Sequence, residues 1–364
     1  MKKRMLAAVL ALVLGLTAVG CGGQSKETTA DTKAATESAA NTGASDTTKA
    51  AEPSGGEQIT IRIGHSASED NIYQVACEAF RDKLTELLGE DRVTVEIYPN
   101  ASLGTQTQMI EMMQMGTLDA VAFGRHSQID SRLDVLNLPF LFEDEAHMTK
   151  VLRGEEGTDI RKRIGECFEN AGIVMLGMFE AGFRNITSTK EIKSLADLNG
   201  LLIRTPNTDI LMDSFEAWGA SPTPIDIGDL YTALQTNVVD AQENPYQLIY
   251  TNKYYEVCPY LCITNHSTIC DQLQFSKVVF DGYPADVQDA IREAGEYACN
   301  VAGEENNKRN DSLLTELNQK MTVNEMPESD LDQMKQIAYD KVWTKYLEDD
   351  FSKALVDDIQ ALAK

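Results

Sequence analysis

Basic residues are scarce in this chain of 364 residues: 32 Lys and Arg stand against 57 Asp and Glu, a formal charge of −25. That shortage argues against a nucleic-acid partner, because phosphate binding needs clustered Lys and Arg. It argues equally against adsorption to a membrane through a polybasic patch. Taken alone, it also disfavours an anionic small-molecule ligand. Catalytic signatures are missing too. There is no GxxxxGK(S/T) loop, no GxGxxG turn, no GxSxG elbow and no HExxH pair. Those absences lower the expectation of an enzyme, and no internal repeat is visible. The length is sufficient for two domains and a sizeable core.

The front of the chain is unlike the rest. Lys2, Lys3 and Arg4 precede an apolar stretch from Met5 to Val19, a basic region followed by a hydrophobic one. The stretch falls short of the ~20 residues needed to span a bilayer. It ends at Ala18-Val19-Gly20-Cys21, which resembles a bacterial lipobox. We therefore expect residues 1–20 to be a lipoprotein signal peptide and Cys21 to be diacylated. The tether 21–56 contains no bulky apolar residue after Cys21, so it has nothing to bury and should stay extended and disordered. Beyond Cys21, the six cysteines Cys77, Cys167, Cys258, Cys262, Cys270 and Cys299 allow 15 disulfide connectivities. A large core needs no such staples, and buried free thiols are the expectation.

From residue 57 the pattern alternates. Ile59 to Ile63 and Val93 to Tyr98 read as strands, and Leu118 to Phe123 as a third. Between them, Tyr73, Ala76, Phe80, Leu84 and Leu87 recur at helical spacing, and Gln106 to Met115 reads as another helix. The order predicts an α/β fold with a mostly parallel sheet. A second block starts near Gly182, with strands at Arg184–Thr187, Leu201–Arg204 and Val238–Ala241 and helices at Asp209–Trp218 and Gly228–Thr236. Asp286 to Lys320 reads as one helix of about 50 Å, long enough to brace two lobes. Gly295 and Gly303 argue against its continuity.

A few residues can carry binding chemistry. Cys258, Cys262, His266 and Cys270 recur every four residues, which suits no zinc-binding turn. His65 and His126 each follow a predicted strand, where open α/β sheets place their crevices. His147, after Glu143-Asp144-Glu145, reads as a surface residue. Arg204 ends a strand just before Pro206. An arginine so placed can grip a carboxylate with two parallel hydrogen bonds, or else pair with a surface acid. Asp226 to Asp229 can cap the helix beyond them.

The block from Gly200 to Pro245 resembles the solute-binding proteins of tripartite ATP-independent periplasmic (TRAP) transporters, the DctP family. The matching segments are Leu201-Leu202-Ile203-Arg204-Thr205-Pro206, Gly219-Ala220-Ser221-Pro222-Thr223-Pro224, Tyr231-Thr232-Ala233-Leu234-Gln235-Thr236 and Val239-Asp240-Ala241-Gln242-Glu243-Asn244-Pro245. Tyr98-Pro99-Asn100, Gly182-Phe183-Arg184 and Thr264-Asn265-His266 extend the likeness over nearly all of 57–364. The resemblance implies a two-lobed periplasmic-binding-protein-like (class II type) fold, with a cleft between the lobes and a long helix spanning both. Lobe I is then 57–181 plus 270–309, and lobe II is 182–269 plus 310–364. It also implies a carboxylate-binding Arg204, a second cleft arginine at Arg184, Asn244 and Asn207 beside them, and first-lobe positions near Ser66, Phe123, Gly124 and Arg125. Ile227 stands where relatives carry an aromatic residue, Asp226 adds an acceptor, and Arg125 with His126 adds donors.

The resemblance further implies an extracytoplasmic protein, lipid-anchored to the outer face of the bacterial cell membrane or periplasmic. It would be a monomer that captures a small organic acid, such as a sugar acid or C4-dicarboxylate, and hands it to a TRAP permease. No cofactor, metal or catalytic residue is expected. A surface sensor using the same cleft, or an enzyme acting on an organic acid, are the alternatives. Residues 285–364 hold 9 basic and 18 acidic side chains, so much of the acid excess lies away from the proposed grip.

Overall fold

The structure, a computed structural model, describes residues 58–363. The expected leader, the tether and Cys21 lie outside the described residues. Among the described residues, no helix is long and apolar enough to cross a membrane.

Nine strands form one sheet: β1 (Ile59–Gly64), β2 (Val93–Tyr98), β3 (Ala120–Ala122), β4 (Ile173–Ser188), β5 (Leu202–Thr205), β6 (Ser221–Pro224), β7 (Ala241–Asn244), β8 (Tyr260–Ser276) and β9 (Thr322–Glu325). Their order is β2-β1-β3-β8-β4-β7-β5-β6, with β9 beside β8. The sheet is mixed: five of its eight pairings are parallel, β8–β9 included, and the three at its centre are antiparallel. β1 runs parallel to β2 and β3, and β5 runs parallel to β6 and β7. The joints β3–β8, β8–β4 and β4–β7 are antiparallel. The two βαβ wings were legible because crossover helices separate their strands. The antiparallel centre depends on pairing between segments far apart in the chain, such as Ala120 with Phe275 and Ile173 with Ser276, which no local pattern reveals.

β4 and β8 are therefore common to two lobes. Their first and last parts, Ile173–Glu180 against Cys270–Ser276, adjoin β3; their other halves, Phe183–Ser188 against Tyr260–Thr268, adjoin β7 and β9. The ladder slips between Glu180 and Phe183, at the junction of the wings. Glu180 is fully buried there and accepts four hydrogen bonds. Arg153 donates two at 2.7 and 2.9 Å, Thr149 one at 3.0 Å and Asn307 one at 3.1 Å. A buried charge persists only with such partners.

The long helix runs unbroken from Ala285 to Lys320, about 54 Å at 1.5 Å per residue. Val287, Ile291, Ala294 and Ala298 enter the larger apolar core, while Leu313 and Leu317 enter a second cluster with Leu230, Ile249 and Tyr254. One stripe thus braces both cores. Its glycines are sites of close approach, not breaks. A Cβ on Gly303 would lie 2.3 Å from Arg153 Nε, and one on Gly295 would lie 2.4 Å from Leu176 Cβ. The helix Asp350–Ala361 returns to the first wing. There His147 Nε2 meets Ile359 O at 2.8 Å, and Ser352 Oγ donates to Arg132 O at 3.5 Å. His147 is thus buried, not superficial, because this terminal helix covers it. The six described cysteines are free and buried.

Candidate functional site

A cavity of about 320 Å³ opens where the two wings meet. β5 carries Arg204 to its rim, and Pro206 ends the strand there because proline lacks the amide a ladder needs. Arg204 is 3% exposed. Its Nε donates to Ile225 O at 2.7 Å, and its terminal nitrogens have no hydrogen-bond acceptor among the described residues. Burial lowers its pKa to about 10, so it remains a cation at neutral pH.

Arg184 lies nearby on β4, equally buried, but its charge is already matched. Its Nη2 donates to Glu243 Oε1 at 2.6 Å and to Glu243 O at 2.9 Å, and its Nε donates to Glu243 Oε2. Burial pushes the Glu243 carboxyl up, yet the Arg184 charge and the adjoining His266 hold it well below the usual carboxylate range. Arg184 and Glu243 thus fasten β4 to β7, and Arg204 is left as the unmatched cation at this end.

The other expected residues divide. Ser66, Gly124, Arg125, His126, Asn207, Asp226, Ile227 and Asn244 all line the cavity. Asp226 occupies the N-cap position of the helix Ile227–Gln235 without a side-chain cap bond, so its carboxylate is free. His126 approaches Gln272 Nε2 at 2.8 Å, and burial takes its pKa down to about 4, which leaves a neutral ring. His65 and Phe123 do not reach the cavity. His65 is fully buried, its Nε2 2.8 Å from Gln74 Oε1 and its ring against Tyr73. Phe123 is buried in the larger core. Successive residues of extended chain face opposite ways, so Ser66 and Gly124 border the cavity while the residues just before them, His65 and Phe123, turn into the core. The Cys258, Cys262, His266, Cys270 ladder lies along and beside β8. Steps of four there are about 13 Å, too far apart to share one ion.

Two acids were missed. Asp271, fully buried, lines the cavity from β8. Its Oδ1 accepts from Gly124 N at 2.7 Å and from Tyr73 Oη at 3.2 Å, and its Oδ2 has no partner. Gly124 permits this approach, since a Cβ there would lie 2.6 Å from Cys270 O. Asp134 also lines the cavity, with Oδ1 unpartnered. Burial pushes Asp134 up to about 6 and Asp271 up to about 7. Asp271 lies 147 positions from Gly124, so spacing could not find it; Asp134 follows the first-lobe lining residues Gly124 to Ser127 closely but carries no motif that marks it.

The comparisons agree with this architecture. The family model for bacterial extracellular solute-binding protein, family 7, matches residues 63–350. The 2,3-diketo-L-gulonate-binding periplasmic protein of Escherichia coli is 31% identical over 70% of this chain and 78% of its own. A TRAP periplasmic solute-binding protein of Roseobacter denitrificans, solved with bound L-galactonate, superposes with a TM-score of 0.75 at 29% identity, covering 84% of this chain and 98% of that one. The sugar-acid-binding protein of Advenella mimigardefordensis, solved with galactonate, gives a TM-score of 0.78 at 27% identity, covering 84% and 99%.

Asp271 provides a test of the cavity's polarity. Its folded pKa of about 7 lies above the ordinary aspartate value, so the native state holds a proton that the unfolded chain has already lost. Stability from this group is complete below about pH 4 and declines as pH rises through about 7. Between about pH 5 and pH 8 the ligand-free protein should therefore lose more Tm than the Asp271→Asn variant does. Calorimetric scans showing equal losses would contradict the assignment.

Proposed function

The chain belongs to the bacterial extracellular solute-binding proteins of family 7, and from that membership we propose that its cleft captures a small carboxylate, such as a sugar acid or C4-dicarboxylate, with Arg204 as the grip. The protein works outside the cytoplasm, as its periplasmic relatives do. One observation carries the role of Arg204: a buried guanidinium with no carboxylate partner, facing a cavity lined from both lobes. A ligand carboxylate can accept two parallel hydrogen bonds from its terminal nitrogens. Asn207, Asp226 and Ile227 surround that position from the second lobe, and Ser66, Gly124, Arg125 and His126 face it from the first. A ligand touching both lobes binds the closed state better and shifts the population toward it. Closure excludes water, which strengthens the charged contacts.

In this reading lobe I is 57–181 plus 270–309, with the helix Asp350–Ala361 added because it packs there. Lobe II is 182–269 plus 310–349. The loaded protein docks on a TRAP membrane permease, and diacylated Cys21 holds it at the membrane.

Arg204→Ala leaves the ligand carboxylate without its cation, at a cost of about 3–5 kcal/mol. Titration calorimetry against organic acids should show binding weakened at least ~100-fold. The ligand-free Tm should be retained, because Arg204 has no carboxylate partner to lose. Unchanged affinity would remove Arg204 from the site. For the anchor, growth with a radiolabelled fatty acid should label the full chain and leave Cys21→Ser unlabelled. Equal labelling would refute lipidation at Cys21.

A further inference from the structure

The carboxylate grip leaves three polar groups of the cavity unused. Arg125 has a buried Nε without an acceptor, and its Nη2 donates to Thr107 Oγ1 at 3.2 Å. Asp134 Oδ1 and Asp271 Oδ2 are buried acceptors without donors. Asp271 cannot turn away, since Gly124 N and Tyr73 Oη hold its other oxygen. Arg125 directly follows Gly124, the residue whose amide holds Asp271. All three line the same cavity as Arg204.

Their chemistry selects what lies beyond the gripped carboxylate. Buried polar atoms left unpaired are costly, so a good ligand must satisfy both acceptors and the donor. A second carboxylate can accept from Arg125, but once both aspartates are ionised, above about pH 7, neither has a proton to give it and both repel it. An alkyl chain satisfies none of them. A hydroxyl both donates and accepts, so a short row of hydroxyls serves all three groups.

We propose that Asp271 and Asp134, together with Arg125, form a hydroxyl-binding subsite that restricts the cleft to polyhydroxylated monocarboxylates and disfavours dicarboxylates. This rests on the reading of Arg204 as the carboxylate grip. The selectivity belongs to side chains that no strand-end or loop motif marks, and it lies on the first-lobe side of the cavity, opposite the grip.

The test is titration calorimetry with two sets of probes on the intact protein at about pH 8, where Asp134 and Asp271 are largely ionised. One set is D-erythronate, L-gulonate and L-galactonate; the other is succinate, adipate and hexanoate. At least one aldonate should bind ~100-fold or more tighter than every acid of the second set, because a site built to hydrogen-bond hydroxyls rejects ligands lacking them. Asp271→Asn and Asp134→Ala should each weaken that aldonate about 10-fold or more and shrink its advantage over succinate. Asp271→Asn retains the acceptor for Gly124 N, and a retained circular-dichroism spectrum shows that it folds. Succinate or adipate binding as tightly as every aldonate overturns the subsite alone, as does unchanged aldonate affinity in both variants. Tight aldonate binding by Arg204→Ala overturns the grip instead. Failure of all six acids to bind the unaltered protein overturns both.

Discussion

A guanidinium buried at 3% exposure without a carboxylate partner is the constraint around which the cleft is arranged. Such a charge is unfavourable unless something neutralises it. The fold shows both solutions side by side. Arg184 is closed off by Glu243 and serves the sheet, joining β4 to β7. Arg204, on β5 at the far side of β7, is held by a backbone carbonyl alone. In the proposed reading its missing partner is the ligand carboxylate. The two arginines are alike in burial and differ in partner.

The rest of the architecture keeps Arg204 poised. β4 and β8 pass through both lobes, so the lobes share a continuous ladder that slips at their junction. The Glu180 network, drawing on β4, the helix Glu145–Leu152 and the long helix, stiffens one side of that slip. The long helix spans both apolar cores with a single stripe. Hinge motion of the lobes is then expected where the shared ladder slips, between Glu180 and Phe183.

Sequence reading recovered what is local. The βαβ wings come from period-two and period-3.6 patterns, and Arg204 was visible because Pro206 marks the strand's end. His65 and Phe123 were misplaced by a single residue each, since alternation along extended chain reverses direction at every step. The first half of β8 reads as extended chain, but its second half buries Asp271, Gln272 and Gln274, and polar residues give no apolar run to detect. Asp271 and Asp134 acquire their meaning only from folding. Asp271 meets Gly124 across 147 positions. The overall charge of −25 was a poor guide to the ligand's sign. Surface charges beyond a Debye length of ~8 Å are screened, whereas a buried cation acts at close range.

The most direct measurement is a crystal structure of the protein with the tightest-binding acid from the calorimetric panel. The account predicts both carboxylate oxygens on the terminal nitrogens of Arg204, at about 2.9 Å, with Arg184 still paired to Glu243. A carboxylate seated on Arg125, with Arg204 left unpartnered, would contradict it.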